Sequence, residues 1–140
     1  MGPRYYILVG DEHSWRKSLL KNIWGFPENS VGNWNTSQVG DYVAFYVTNP
    51  IKKVVGYGRI IKKYEDNEIF WPDEKLFNKV IWKYRIEFEK LGLVDNWSKG
   101  TPVPPNIMLN TGRKVISKEL FCNMLNKIFV NLDVERNDNF

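Results

Sequence analysis

Apolar positions along this chain repeat in two patterns. Four short runs rich in β-branched and aromatic residues predict strands, and they lie at residues 5–9, 42–48, 54–61 and 80–88. Apolar residues at helical spacing predict two amphipathic helices, one over residues 11–22 and a final one that begins after Ser117. Strands and helices are mixed without regular strand–helix–strand alternation. The pattern therefore predicts an α+β fold built on a curved, mostly antiparallel sheet.

The run at residues 80–88 has the most regular alternation. Its even-numbered residues, Trp82 among them, are expected in the core, whereas Arg85 is expected to face water. In the preceding run, Gly56 and Gly58 leave two strand positions without side chains. Glycines within a strand indicate strong curvature or close approach of another backbone. The sheet is therefore expected to form a partly open β-barrel with helices packed on it.

Two of the tryptophans outside the predicted elements are candidates for the wall of a pocket. Trp24 follows the first helix and precedes Gly25 and a Phe-Pro turn, so it is expected on the rim of a long loop that runs to residue 40. Trp71 lies in the irregular segment 67–78. A second long loop is predicted at 96–116, and long ordered loops are uncommon unless they have a function. Burial in the core is the commoner fate of a tryptophan, so for Trp24 the residues alone favour burial over a place in the wall of a pocket. For Trp71, cover of the barrel mouth and a place in the wall of a pocket remain equally open.

Composition narrows the class of protein. With 140 residues, the chain is expected to form one domain, residues 1–134, followed by a polar tail, residues 135–140, whose composition is typical of disorder. Aromatic residues make up 15% of the chain, which favours a pocket lined by some of them. A net charge of +4 permits contact with phosphates. It is lower than the charge of most non-specific nucleic-acid binders.

The sequence contains no recognised catalytic or metal-binding motif. Cys122 is the single cysteine, which excludes a disulfide within the chain, and His13 is the single histidine. We therefore predict no catalytic residue, no metal and no cofactor. No apolar stretch approaches the roughly 18 residues that a membrane helix needs, so we expect a cytoplasmic protein without membrane contact. The oligomeric state is not predicted.

Several short motifs occur in an order that resembles a known family. They are Asn22-Ile23-Trp24, Gly32-Asn33, the strand from Phe45 to Asn49, Val55-Gly56 and the segment from Gly112 to Leu120. This order resembles the single-domain prokaryotic members of the EVE domain family, in the PUA-like superfamily, and the related YTH domains. The Phe-Pro after Trp24-Gly25 departs from the YTH pattern of small polar residues.

The resemblance implies a non-catalytic module that recognises a modified base, in DNA or RNA, single-stranded or flipped from a duplex. It implies an aromatic cage with Trp24 and Trp71 as walls. The full set of ligand-binding candidates is Trp24, Trp71, Gly25, Phe26, Ser14, Asp11, Asn35 and Tyr46. The cations expected to contact phosphates are Arg16, Lys17, Lys52, Lys53, Arg113 and Lys114.

Two alternatives remain open from the sequence. One is an ASCH-like hydrolase of a modified nucleoside, with Lys21, Ser14 and Glu12 as candidate groups. The other is a reader of methylated ammonium groups in a peptide, in which Asp73 would supply the carboxylate that such cages need.

Overall fold

The computed structural model describes residues 2–109 and 112–134, so the tail predicted at 135–140 lies outside the described residues. Within these ranges the chain forms six strands and four α-helices in the order β1 (Tyr5–Gly10), α1 (Glu12–Lys21), β2 (Ile23–Phe26), α2 (Val31–Thr36), β3 (Tyr42–Val47), β4 (Lys53–Glu65), α3 (Pro72–Phe77), β5 (Tyr84–Leu93), β6 (Arg113–Ile116) and α4 (Lys118–Leu125). Short 3₁₀ turns lie at Glu28–Ser30 and Trp97–Lys99.

The six strands form one sheet in the order β2-β5-β4-β3-β1-β6. Among these strands β1 and β3 pair in parallel, and the other neighbours are antiparallel. The sheet is strongly curled into a half-barrel with flanking helices, which confirms the predicted α+β class. The runs at Tyr5 and at Tyr84 belong to the same sheet, as expected, and α4 packs against β1 and β4.

The alternation of β3 places its side chains in two hydrophobic clusters. Val43 and Phe45 enter one cluster, together with Trp15 and Trp24. Tyr42 and Ala44 enter the other, in which Phe121 of α4 is fully buried. This division follows from period-two alternation, which sends neighbouring side chains to opposite faces of a strand.

The prediction for residues 80–88 was wrong at its start. The strand begins at Tyr84, and Trp82 lies in the preceding segment, where it is partly exposed and outside the core. Arg85 is only 2% exposed, although the alternation predicted that it faces water. The reason is that Arg85 forms ion pairs with Asp66 and with Glu74, the latter a fully buried carboxylate.

The long loop predicted at residues 25–40 was also wrong in part. Trp24 lies within β2, opposite Ile86 of β5, and not on a loop rim. Further along, α2 occupies residues 31–36. In the second predicted loop, residues 113–116 form β6 beside β1. Both edge strands have four residues, which is too short for periodicity to reveal them.

Close backbone approach explains the glycines of β4. A Cβ added at Gly56 would lie 2.3 Å from the carbonyl oxygen of Gly92 on β5 and 3.0 Å from the Phe45 ring. Such distances leave no room for a methyl group, so the tight curl of the sheet depends on this position.

We therefore expect Gly56→Ala to lower the free energy of unfolding by about 1–3 kcal/mol, the usual cost of overpacking. Chemical denaturation followed by circular dichroism measures the change. Gly32→Ala is the matched control, because a Cβ at Gly32 meets nothing within 4 Å. The control should retain wild-type stability or gain slightly. Equal stability of the two variants would contradict the role assigned to Gly56.

Candidate functional site

A cavity of about 270 Å³ opens beside the N-terminus of α1 and the strand β2. Its lining combines three indoles with two carboxylates, and its polar remainder is made of hydroxyl and amide groups. The lining residues are Val9, Gly10, Asp11, Ser14, Trp24, Gly25, Phe26, Pro27, Ser30, Asn33, Trp71, Asp73, Trp82 and Gly112. The volume is near the lower end of the roughly 300–1,000 Å³ typical of small-molecule pockets.

Trp24 belongs both to the cavity lining and to the hydrophobic core. Its ring stacks on Trp15 with centroids 4.2 Å apart, and only 8% of the residue is exposed. The absence of a side chain at Gly10 makes room for the indole, because a Cβ there would lie 2.3 Å from the ring. Truncation of Trp24 would therefore cost about 3–5 kcal/mol of stability, as for other buried tryptophans. Trp15 covers one face of the Trp24 ring, so the ring borders the cavity with little of its surface exposed.

Trp71 is fixed from two sides. Its indole N–H donates to Ser18 Oγ on α1 at 2.8 Å, and the Arg85 guanidinium lies 5.0 Å from the ring centroid. The residue is 2% exposed, so the indole borders the cavity from a buried position. A Cβ at Gly25 would lie 2.9 Å from the Trp71 ring and 2.5 Å from the Cβ of Trp82. Gly25 thus lets both tryptophans pack against β2.

Trp82 was missed as a site residue by the sequence reasoning. Its indole N–H donates to both oxygens of Asp73, at 3.0 and 2.9 Å, and the side chain is partly exposed at the cavity. The regular alternation with Tyr84 and Ile86 made it look like a core residue. No local signal in the sequence separates it from that strand.

Glu74 organises the segment that carries Trp71 and Trp82. Its Oε1 accepts the backbone N–H groups of Phe70 and Trp71 at 2.9 and 3.0 Å. Its Oε2 accepts those of Ile81 and Trp82 at 2.9 and 3.0 Å. One carboxylate therefore holds both ends of a loop whose ends carry two walls of the cavity.

Two opposing effects act on the pKa of Glu74. Burial alone raises the pKa of the carboxyl, but the hydrogen bonds from four backbone N–H groups outweigh burial. The pKa is therefore lowered from its ordinary value of 4.5. Multiple N–H donors stabilise the charged form in this way.

The comparisons with known proteins concern mainly the fold. No protein-family model matches the chain. Over 91 residues it is 30% identical to the UPF0310 protein SSO2595 of Saccharolobus solfataricus. That alignment covers 61% of this chain, and the chain spans 59% of the length of that relative.

Three solved structures superpose over most of the chain. A mutant form of the ASCH protein from Zymomonas mobilis has a TM-score of 0.63 and 8% identity, over 87% of this chain and 94% of that one. The Mmi1 YTH domain in complex with RNA has a TM-score of 0.60 and 13% identity, over 89% and 79%. Protein Atu2648 from Agrobacterium tumefaciens has a TM-score of 0.58 and 14% identity, over 96% and 99%. The chain has the PUA-like fold.

The PUA-like structure brings most, but not all, of the predicted ligand-binding residues together. Asn35 borders a different, open cleft with Arg4 and Arg59. Tyr46 packs against the cluster that contains Phe121. The other candidates line the cavity: Trp24, Trp71, Gly25, Phe26, Ser14 and Asp11.

The predicted phosphate-contacting cations lie outside the cavity lining, spread over several surfaces. Lys52 lies in the turn between β3 and β4, Lys53 is the first residue of β4, and Lys114 lies on β6. Arg16 forms an ion pair with Glu12 and covers the Trp97 ring at 4.1 Å, whereas Lys17 lies 4.8 Å from the Phe70 ring.

Arg113 has a structural role. Its Nη1 donates to Asn33 O at 2.9 Å and to Ser37 Oγ at 2.7 Å, so it ties β6 to α2 and the turn that follows. Its guanidinium also covers the Tyr6 ring at 4.4 Å. These contacts engage the side chain within the fold.

Within 2–109 and 112–134, no group of three or more His, Cys, Asp or Glu side chains is placed to hold a metal ion. In the same ranges, no helix has the length and apolar character needed to cross a bilayer.

Replacing Glu74 by Gln tests its organising role. A glutamine amide presents N–H groups to two of the four backbone donors. It also removes one of the two carboxylates that neutralise Arg85 and leaves Asp66 as its charged partner. We expect a loss of about 3–5 kcal/mol in the free energy of unfolding, as for other broken buried ion pairs. Urea denaturation measures the loss. The control Glu89→Gln, at an exposed position of β5, should change stability by less than about 0.5 kcal/mol. A Glu74→Gln variant as stable as this control would refute the role.

The contribution of Glu74 should also depend on pH. Its folded-state pKa lies below the ordinary value of 4.5. The stability it provides is therefore complete above that value and is lost as the pH falls through the folded pKa. The stability difference between wild type and Glu74→Gln should be constant above about pH 5.5 and should narrow below pH 4.5. Urea titrations at a series of pH values measure it, and a gap that widens in acid would contradict the assignment.

Proposed function

We propose that this chain is a non-catalytic module that binds one nucleobase of DNA or RNA in the cavity walled by Trp24, Trp71 and Trp82. The observation that carries the proposal is the convergence of three indoles with polar groups in one base-sized cavity. Stacking of a base on an aromatic side chain is worth about 1–3 kcal/mol. A base reaches such a cavity only when it is unpaired or flipped from a duplex.

The shared fold supports the same proposal. A neighbour with the PUA-like fold, the Mmi1 YTH domain, is solved with RNA. We further propose that the chain is an EVE-type member of the superfamily and that its base is modified. A methyl group that becomes fully buried between apolar walls adds about 0.8 kcal/mol, and polar groups such as Ser14 and Asn33 would read the base edge.

A cluster of lysines near Trp71 offers a place for the nucleic-acid backbone. Lys17 and Lys21 lie 4.8 and 5.4 Å from the Phe70 ring, and Phe70 packs edge-on against Trp71 with centroids 5.0 Å apart. The pKa of Lys17 is lowered, first by partial desolvation and then by the like charges of Lys75 and Lys21. A phosphate would relieve this repulsion.

The three groups expected in an ASCH-like hydrolase do not all line the cavity. Ser14 lines the cavity. Glu12 is paired with Arg16, and Lys21 lies over Phe70. The binding module is therefore the function that the geometry supports best.

Replacing Trp82 by Ala tests the proposal, because Trp82 is a partly exposed residue in the wall of the cavity. We expect the affinity for a single-stranded oligonucleotide that carries the preferred base to fall by about 1–3 kcal/mol, the worth of one stacking contact. Fluorescence anisotropy of a labelled oligonucleotide measures the affinity, and thermal unfolding checks that the variant is folded.

The control is Tyr64→Ala, which removes a half-buried aromatic ring of β4 outside the cavity. Its affinity should match that of the wild type. Binding that survives Trp82→Ala but fails in Tyr64→Ala would place the interface elsewhere and refute the proposal.

A further inference from the structure

We propose that the cavity prefers a nucleobase that carries a positive charge because a ring nitrogen is methylated, such as 1-methyladenine or 7-methylguanine. This inference rests on the proposed function and names the chemical class of its ligand. The structural feature behind it is the charge of the lining: Asp11 and Asp73 contribute carboxylates, and no described lining residue is Lys, Arg or His.

Both carboxylates are held in place and still able to accept hydrogen bonds. Asp73 accepts the Trp82 indole N–H and the Glu74 backbone N–H. Asp11 caps α1 by accepting the Ser14 N–H at 2.7 Å. A carboxylate offers about four acceptor sites, so each retains capacity for an N–H of a ligand. The exocyclic and ring N–H groups of a methylated base cation are donors of this kind.

The indoles favour the same charge. A cation over the face of a tryptophan is attracted by the negative face of the ring, and the attraction grows when water is excluded. A neutral base stacks on the same walls but gains neither this attraction nor the Coulomb attraction to Asp11 and Asp73.

The buried cation that covers Trp71 is already neutralised. Arg85 covers Trp71 at 5.0 Å, but its Nη1 lies 3.1 Å from Asp66 Oδ2 and its Nη2 lies 3.8 Å from Glu74 Oε1. Two carboxylates therefore surround this guanidinium. Its field does not offset the negative charge that Asp11 and Asp73 bring to the lining.

The polar part of the lining favours a base over a methylated ammonium group of a peptide. Ser14, Ser30 and Asn33 supply hydroxyl and amide groups at the cavity. These groups match the mixed donors and acceptors along the edge of a base. A trimethylammonium group has no hydrogen-bonding atom with which to pair, so these polar groups would be left facing methyl groups.

Two isomers of methylated adenosine provide a matched test. 1-Methyladenosine is a cation near neutral pH, and N6-methyladenosine has the same heavy atoms without the charge. We expect the wild-type protein to bind the cation about tenfold more tightly or better, as a desolvated cation–π contact allows. Tryptophan fluorescence titration and calorimetry measure both affinities. A neutral isomer that binds equally or more tightly would overturn the inference.

Variants that remove one negative charge show which carboxylate causes the preference for the cationic base. Asp73→Asn and, separately, Asp11→Asn should reduce the preference for 1-methyladenosine, whereas the control Asp95→Asn, at an exposed position, should keep it. Because Asp73 also positions Trp82, the Asp11 variant provides an independent readout. An undiminished preference in both variants would refute the inference.

Two further outcomes separate this inference from the proposed function. If single-stranded oligonucleotides bind and the two isomers do not differ, the charge preference fails and the base-binding function stands. If a trimethyl-lysine peptide binds more tightly than either nucleoside and no oligonucleotide binds, the proposed function itself fails.

Discussion

The candidate site depends on one buried carboxylate, that of Glu74. Its two oxygens accept backbone N–H groups from both ends of the segment between Phe70 and Trp82. A buried charge is costly unless it is fully hydrogen-bonded and paired. Here four donors and Arg85 compensate it. The same interactions that make the charge tolerable also fix the two indoles, so stability and site geometry share one cause.

Strand β2 of the sheet forms another wall of the cavity. Gly25 of β2 lets Trp71 and Trp82 approach the strand closely, and Trp24 of the same strand stacks on Trp15 inside the core. The cavity is therefore built partly from the hydrophobic core and not only from surface loops. A site of this construction is largely formed before the ligand arrives, which lowers the entropic cost of binding.

Local patterns in the sequence predicted the parts of the fold that local interactions determine. The alternation of Val43 and Phe45 located β3, and Ser117 marked the start of α4, whose first-turn N–H it accepts. The resemblance to PUA-like proteins predicted that Trp24 and Trp71 belong to one site, and both line one cavity.

The parts of the fold that were not predicted depend on contacts between distant parts of the chain. The segment Ile23–Phe26 becomes a strand only because β5, about sixty residues later, pairs with it. In the sequence Glu74 resembles any surface glutamate of an irregular segment, and its role appears only when the backbone around Trp82 returns to it. Trp82 was misplaced because an alternating pattern does not show where a strand begins. Arg85 was misplaced because its partners Asp66 and Glu74 come from another part of the chain.

Glu74 holds the site through backbone N–H groups, so the geometry of the site does not depend on the side chains between them. Residues 75–79, which lie between the two pairs of N–H groups, are all exposed. Leu76 and Phe77 among them are 78% and 64% exposed. Asn78 is restricted by its positive φ of 52°. The other side chains of this stretch are therefore open to mutational drift, and to selection for new contacts, while the indoles on either side keep their positions.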